Sequence, residues 1–149
     1  MVNEPAGPND GGGRRDRSGL LVLDRSECLH LMATTVPHVG RVALVDGEGR
    51  PFVLPVNYQV DGESVVFRTA EGGLLDAAVA GTLVAFELDA VDPAWQEGWS
   101  VLAHGVARAV ADPDEIARLE RLPLRPWAPG DRHRWVRLPV QSVSGRRIV

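Results

Sequence analysis

The alternation of apolar and polar residues between Gly40 and Ala70 predicts three antiparallel β-strands joined by two tight turns. The strands are predicted at Arg41 to Val45, Pro51 to Tyr58 and Ser64 to Ala70. Asp46-Gly47 and Asp61-Gly62 lie in the two turns. Asp-Gly supplies the positive φ that a close hairpin needs, so each strand is expected to pair with the next.

Capping residues and helical spacing predict three short helices outside this meander. They are expected from Asp24 to before Pro37, from about Leu74 to Gly81, and from Asp112 to Leu122. The third has the clearest start, with Asp112 as the cap, Pro113 at the first helical position and Glu115 completing a capping box. Gly81 stands where a C-terminal glycine cap belongs.

Four further strands complete the pattern. They are predicted at Leu83 to Asp89, Gly98 to Val110, Trp135 to Leu138 and Ser142 to Val149. Gly105 marks a bend or bulge in the long strand, and the prolines from Pro123 to Pro129 exclude regular structure there. Short connections and this element order favour an antiparallel barrel with helices at its ends over a parallel α/β sheet.

The chain of 149 residues is long enough for one domain with its own core. Residues 1–19 are rich in Gly, Pro, Asn, Asp and Arg and are expected to be a disordered tail, which leaves 20–149 as the folded domain. No secretory signal is recognisable, so a cytoplasmic location is expected. The single Cys28 is expected to be a small buried hydrophobe.

Charge and composition exclude several functions. The net charge of -4, with scattered arginines, argues against a nucleic-acid partner. No apolar run approaches membrane-spanning length. All 16 basic residues are arginine, which excludes a Schiff-base lysine and a phosphate-loop lysine. The four histidines are isolated, so no metal site is predicted. No hydrolase or nucleotide-loop motif is present, and the catalytic residues are unknown.

Several residue groups remain as candidates for binding chemistry. They are Pro55-Val56-Asn57-Tyr58, Phe67-Arg68-Thr69, Gly98-Trp99-Ser100, and the later Trp127, Trp135 and Arg137. Taken singly, each has an ordinary structural explanation, as a core aromatic, a surface ion pair or a loop anchor. Arg68 and Thr69 precede a helix start near Gly72-Gly73, so a guanidinium, a hydroxyl and free helical N–H groups converge there to hold a phosphate. Together the groups suit a planar, phosphorylated, redox-active ligand.

Several segments resemble the pyridoxamine 5'-phosphate oxidase-like proteins of the flavin-binding split-barrel superfamily. They are RVALVDGEGRPFVLPVNY, VVFRTAEGGLLDA, GWSVLAHGVARAV, LPLRPWAPGDRHRWVRL and SGRRIV. The resemblance implies a mainly β fold of the α+β type, a six-stranded antiparallel split β-barrel with short flanking helices. It also implies a homodimer that holds FMN between its subunits and acts as an oxidoreductase on an unidentified small molecule.

The same resemblance assigns the cofactor-binding residues. Pro55 to Tyr58 would run along the flavin ring, Arg68 and Thr69 would meet the phosphate, and the parts around Trp127 and Arg137 would approach from the partner chain. The complete predicted set is Pro55, Val56, Asn57, Tyr58, Phe67, Arg68, Thr69, Gly72, Gly73, Leu74, Trp99, Trp127 and Arg137.

One residue departs from the family pattern. Many relatives have a lysine that completes the phosphate clamp where this chain has Leu74. Loss of such a charged contact is worth about 1.5–3 kcal/mol, or roughly ten- to a hundredfold in affinity. Two alternatives follow: the deazaflavin F420 as the cofactor, or a non-catalytic dimeric barrel that binds a flavin or another ligand.

Overall fold

The computed structural model describes residues 13–73, 75–76 and 81–149. In this part of the chain the strands are β1 Leu21–Leu23, β2 Val39–Val45, β3 Pro51–Asp61, β4 Ser64–Thr69, β5 Leu83–Asp92, β6 Glu97–Val106, β7 Arg108–Ala109, β8 Arg134–Pro139 and β9 Ser142–Ile148. The helices are α1 Arg25–Thr34 and α2 Pro113–Leu119. Leu75 and Asp76 are also helical, whereas Leu74 and the rest of the second predicted helix lie outside the described residues.

The strands form one antiparallel, curled sheet in the order β1-β9-β6-β5-β2-β3-β4-β8-β7. The predicted mainly β barrel with short helices is therefore confirmed, but the described residues contain nine strands and not six. The sequence pattern alone predicted seven strands, and the two additional ones are at the edges: β1 pairs with β9, and β7 pairs with β8. The predicted strand from Gly98 to Val110 is two strands, because the chain leaves the β9 ladder and joins β8 after Ala107.

The sheet closes where β6 meets the hairpin between β8 and β9. The Gln141 N–H donates to the His104 carbonyl at 2.9 Å. A Cβ at Gly105 would lie 1.9 Å from the Pro139 carbonyl oxygen, so only glycine permits this approach. The signal at Gly105 was interpreted as a bend or bulge, and the structure shows a close backbone contact instead.

The main core fills the barrel and is covered at one end by α1. Its largest fully buried side chains include Tyr58, Phe67 and Phe86. Helix α1 begins with the predicted capping box between Asp24 and Glu27. Cys28 is fully buried on this helix, as predicted, and burial raises the pKa of its thiol, so the group stays protonated and unreactive.

A second core lies on the outer face of β4 and β8, where α2 and the following loop pack. It contains Val66, Val110, Leu119, Leu124 and Trp135. The Trp135 indole N–H donates to a Glu120 carboxylate oxygen at 2.8 Å, so the buried ring has a polar partner. This second core fixes the start of the proline-rich loop, residues 120–133.

Arg137 of β8 joins three elements through largely buried ion pairs with Asp61 of β3 and Glu115 of α2. Its guanidinium donates to Asp61 at 2.5 Å and to Glu115 at 2.7 Å, and its side chain is only 10% exposed. Hydrogen bonds from Arg108 and Arg137 outweigh burial and lower the pKa of Glu115. Burial raises the pKa of Asp61, but hydrogen bonds from Arg137 and Arg118 outweigh it, so the net shift is also downward. The Glu115 carboxylate therefore pairs with arginines, although the sequence predicted that it would complete the capping box.

Two side chains of β3 fasten the proline-rich loop. Asn57 Oδ1 accepts a hydrogen bond from the Trp127 backbone N–H at 2.8 Å, and the Gln59 amide donates to the Pro123 carbonyl at 3.3 Å. The Trp127 ring itself is 70% exposed. The loop is thus held by its backbone and not by burial of the tryptophan.

Residues 13–19 contact the barrel, although the sequence placed them in the tail. The Arg14 carbonyl accepts from the Val22 N–H at 2.7 Å, and Asp16 pairs with Arg146 at 2.7 Å. Hydrogen bonds from Ser18 and Arg146 lower the pKa of Asp16 to about 2. Residues 1–12 of the predicted tail lie outside the described residues. No helix in the described ranges is long and apolar enough to cross a membrane.

Replacing Arg137 by alanine is expected to lower the free energy of unfolding by about 3 kcal/mol, because Asp61 and Glu115 lose their buried partner and keep only the more exposed Arg118 and Arg108. Both carboxylates have pKa values below 3.8 and 4.5, their ordinary values. The stabilisation is therefore present above those values and is lost as pH falls through the lower folded-state values. Urea unfolding at pH 7 and pH 3 measures both effects.

Arg118→Ala is the matched control for Arg137→Ala, since Arg118 pairs with the same Asp61 but is 54% exposed. This variant is expected to lose less than about 1 kcal/mol. Equal losses in the two variants would contradict the importance of burial.

Asn57→Ala is expected to release the proline-rich loop, because the Trp127 N–H loses its acceptor, a change worth about 1 kcal/mol. Chymotrypsin should then cleave faster after the exposed Trp127. Asn57→Asp keeps an acceptor oxygen at the same position and should be cleaved at the wild-type rate. Equal cleavage of all three proteins would show that the hydrogen bond does not hold the loop.

Candidate functional site

A groove opens where the pairing of β3 with β4 stops. The ladder between these strands runs only from Asp61↔Ser64 to Tyr58↔Phe67. Before Tyr58, β3 pairs with β2 alone, and beyond Phe67 the residues Arg68 and Thr69 pair with β8 alone. The two strands therefore diverge and leave an unpaired edge on each side of the gap.

The unpaired edge of β3 carries free backbone groups. The Tyr58 N–H donates to the His38 carbonyl, so the even-numbered residues of β3 direct their backbone groups towards β2. The odd-numbered residues direct theirs towards the gap in this part of the strand. Pro51 and Pro55 are both odd-numbered, which is the position where the missing N–H costs no ladder hydrogen bond. Asn57 supplies an N–H and a carbonyl on the same edge.

One compartment of the groove has a volume of about 430 Å³. Six of the predicted site residues line it: Pro55, Val56, Asn57, Arg68, Thr69 and Gly73. The lining residues that sequence reasoning missed are Leu54, Ala70, Leu75, Pro126, Ala128 and Arg132. No local pattern marks the last three as site residues, because the hydrogen bonds from β3 bring their loop to the groove.

A second compartment, of about 570 Å³, shares Asn57 and Arg68 with the first. Trp127 lines it, together with His38, Gln59 and Arg125. The proline-rich loop separates the compartments, since Pro126 and Ala128 face one and Trp127 faces the other. The Asn57–Trp127 hydrogen bond thus lies at their junction. Within the chain, Trp127 therefore lies beside the groove.

Arg68 is held in the groove without a carboxylate partner among the described residues. Its guanidinium lies 5.2 Å from the centre of the Trp135 ring, and one terminal nitrogen lies 3.5 Å from His133 Nδ1. Its Nε is buried and has no hydrogen-bond partner in the described structure. A buried guanidinium nitrogen without a partner is unfavourable, so the geometry suits an anionic ligand.

The side chains of Tyr58 and Phe67 belong to the main core, and Tyr58 also lines the second compartment. Both are almost completely buried. The Tyr58 hydroxyl donates to the Met32 carbonyl at 2.6 Å, and burial raises the pKa of this phenol well above its ordinary value. It therefore stays neutral and structural. These two predicted site residues position β3 and β4 around the point of divergence.

The free N–H groups expected near Gly72 and Gly73 are already used. The Gly72 N–H donates to Asp76 Oδ2 at 2.9 Å, and the Gly73 N–H donates to the Ala70 carbonyl at 3.3 Å. Gly72 is not among the residues that line either compartment. Leu74, the last residue of this predicted group, lies outside the described residues.

Trp99 and Arg137 do not reach the groove within the chain. Trp99 lines a different cavity of about 380 Å³ with Val91 and Arg147. Arg137 is enclosed by Asp61 and Glu115, so its charge is not available to a ligand. The sequence could not separate Arg137 from Arg68, because both lie on neighbouring strands and their partners are far away in the chain.

The lining of the first compartment contains arginine, threonine, asparagine and apolar side chains, and it contains no acidic residue or histidine. Within the described residues, no group of three or more His, Cys, Asp or Glu side chains is placed to hold a metal ion. The compartment can therefore bind a flat, anionic molecule by backbone edge, apolar wall and guanidinium, but its side chains are poorly suited to proton transfer at neutral pH.

Comparisons with known proteins place this geometry in context. The uncharacterized protein Rv0080 of Mycobacterium tuberculosis is 39% identical over 132 residues, which cover 85% of this chain and 84% of that protein. The structure of a FAD binding protein from Mycobacterium smegmatis superposes with a TM-score of 0.72 at 34% identity, over 85% of this chain and 97% of that one.

A provisionally assigned pyridoxamine 5'-phosphate oxidase of Corynebacterium glutamicum superposes with a TM-score of 0.75 at 31% identity, over 87% of this chain and 92% of that one. The sequence profile of the family described as pyridoxamine 5'-phosphate oxidase matches residues 24–147. Because this match and the shared antiparallel barrel extend over most of the chain, the protein belongs to the pyridoxamine 5'-phosphate oxidase family.

Proposed function

We propose that the protein binds a flavin nucleotide in the groove between β3 and β4 and acts as a flavin-dependent oxidoreductase on a small molecule. The observation that carries the proposal is the buried, unpaired Nε of Arg68 at the end of a free strand edge. The FAD binding protein of Mycobacterium smegmatis, at 34% identity, supports the same class of ligand.

The groove residues fit a flavin on three counts. The unpaired edge of β3 at Pro55 and Asn57 offers a carbonyl and an N–H to the edge of a ring. Leu54 and Val56 provide apolar surface, and Arg68 with Thr69 provides donors for a phosphate. The compartment of about 430 Å³ lies in the range of small-molecule sites.

The nucleotide that best accounts for both compartments is FAD. The second compartment of about 570 Å³ adjoins the first at Asn57 and Arg68, and the two together leave room for more than the monophosphate FMN. The resemblance implies FMN as the cofactor, with F420 as the alternative. Parallel titration with FAD, FMN and F420 ranks the three, and tightest binding of F420 would reject the flavin assignment.

A bound flavin supplies the two-electron redox chemistry, and the chain supplies binding and orientation. Asn57 and Pro55 orient the ring through backbone groups, Arg68 holds the anionic end, and the proline-rich loop limits access by water. The absence of an acid or base side chain in the lining of the first compartment also favours a second candidate, a flavin-binding protein without turnover. Reoxidation of the reduced, flavin-loaded protein by a panel of small-molecule acceptors separates the two candidates.

Arg68→Ala is expected to weaken FAD and FMN binding roughly ten- to a hundredfold, because a charged hydrogen bond to phosphate is lost. Riboflavin has the same ring but no phosphate, so its affinity should change little. Fluorescence titration of the wild type and the variant gives the dissociation constant of each protein for each ligand, and hence the fold-change caused by the substitution. An equal loss for riboflavin and FMN would show that Arg68 acts on the ring or on the fold.

The proposal includes a homodimer, because the outer face of the sheet carries an exposed apolar row. Val45, Leu83 and Val106 are all exposed there, and Leu83 lies opposite Val106 in the β5–β6 ladder. Contiguous apolar surface of this kind suits a protein interface. A second copy on this face would protect the row from water.

Leu83→Glu is expected to convert the dimer to a monomer, since a charge would be buried at the interface. Ala33→Glu adds the same charge at an exposed position of α1 and should leave the mass unchanged. Light scattering after size-exclusion chromatography gives the mass of each protein. A monomeric wild type would end this part of the proposal.

A further inference from the structure

Arg132 is a second arginine without a partner in the groove. It belongs to the proline-rich loop and lines the first compartment together with Arg68 and Thr69. Its Nε is buried and has no hydrogen-bond partner among the described residues, as is also true of Arg68. Two such nitrogens in one compartment are unusual, because buried donors in folded proteins are nearly always paired.

Two nearby arginines, Arg134 and Arg137, do have carboxylate partners. Arg134, two residues further along the chain, pairs with Asp76 at 3.2 Å and does not line the compartment. Arg137 on the same strand is enclosed by two carboxylates. No ion pair of the described residues includes Arg68 or Arg132, although the chain has more acidic than basic residues. Arg68 and Arg132 thus differ from Arg134 and Arg137 in having a buried Nε without a partner in the described structure.

We propose that Arg68 and Arg132 form a two-sided arginine clamp for a phosphate group, with Arg68 on the strand wall and Arg132 on the loop wall. A guanidinium presents several donors in a fixed plane and matches the oxygens of phosphate. Thr69, which is buried beside Arg68, adds a hydroxyl. The ligand class is a phosphate monoester or a diphosphate.

The clamp gives the site a second cation in a chain that has no lysine. It also joins the ligand to the proline-rich loop, because Arg132 is part of that loop and Arg68 is not. A bound phosphate would therefore link the loop to β4. The loop is already linked to β3 by its hydrogen bonds with Asn57 and Gln59. This inference rests on the proposed function only for identifying the anion as the phosphate end of a flavin.

The test uses calorimetric titration of FMN, riboflavin and inorganic pyrophosphate into the full chain and its variants. Arg132→Ala should weaken FMN and pyrophosphate about ten- to a hundredfold and leave riboflavin unchanged. Arg132→Lys keeps the positive charge but lacks the planar guanidinium. Its affinity for FMN and pyrophosphate should lie between those of the wild type and of Arg132→Ala. Arg134→Ala, which removes a nearby paired arginine, should bind all three ligands as the wild type does.

A second readout does not depend on flavin binding. Pyrophosphate should slow cleavage by chymotrypsin after Trp127 in the wild type and have no such effect in Arg132→Ala. Arg132→Gln retains most of the side-chain volume and replaces the alanine variant if circular dichroism shows the latter to be unfolded.

The outcomes separate the two proposals. If the wild type binds pyrophosphate through Arg132 but binds no flavin, the clamp stands and the flavin assignment fails. If FMN and pyrophosphate bind equally well to the wild type and to both Arg132→Ala and Arg132→Gln, the clamp is wrong. It is also wrong if the wild type binds neither FMN nor pyrophosphate.

Discussion

The groove exists because the hydrogen-bond ladder between β3 and β4 ends at Tyr58 and Phe67. Both side chains are buried in the main core, where the Tyr58 hydroxyl is fixed to α1 through the Met32 carbonyl. The last paired position is therefore rigid. Beyond it, β3 follows β2 while β4 follows β8. Backbone groups that would be paired in a continuous sheet remain free, and a binding edge results without any specialised loop.

Two arginines on neighbouring strands differ in whether carboxylates pair with them. Arg68 and Arg137 lie on β4 and β8, on the face that carries the second core. Near α2, Asp61 and Glu115 enclose Arg137 and neutralise it. At the other end, Arg68 lies against the Trp135 ring and has no carboxylate within the described structure. One cation thus stabilises the barrel, while the other stays available to a ligand at some cost to stability.

Local sequence signals were sufficient for the elements and for one wall of the site. Alternating residues and Asp-Gly turns gave β2, β3 and β4, and capping residues gave α1 and α2. The short edge strands β1 and β7 were missed because three or two residues carry no periodicity. The resemblance assigned Trp127 of the proline-rich loop to the cofactor site, but the contact that places the loop beside the groove joins Asn57 and Trp127, which are 70 residues apart in the chain. Arg132 was not among the predicted site residues, and the sequence does not report that Arg137 faces Asp61 and Glu115.

An acidic chain must concentrate positive charge to hold an anion. The net charge is -4, so long-range electrostatics do not favour a phosphate ligand. Eight of the 16 arginines pair with carboxylates in the described structure, which cancels their field locally. Arg68 and Arg132 escape this pairing because the lining of their compartment contains no acidic side chain. The groove favours an anion because no carboxylate lines its first compartment. The rest of the chain can therefore remain acidic without preventing anion binding.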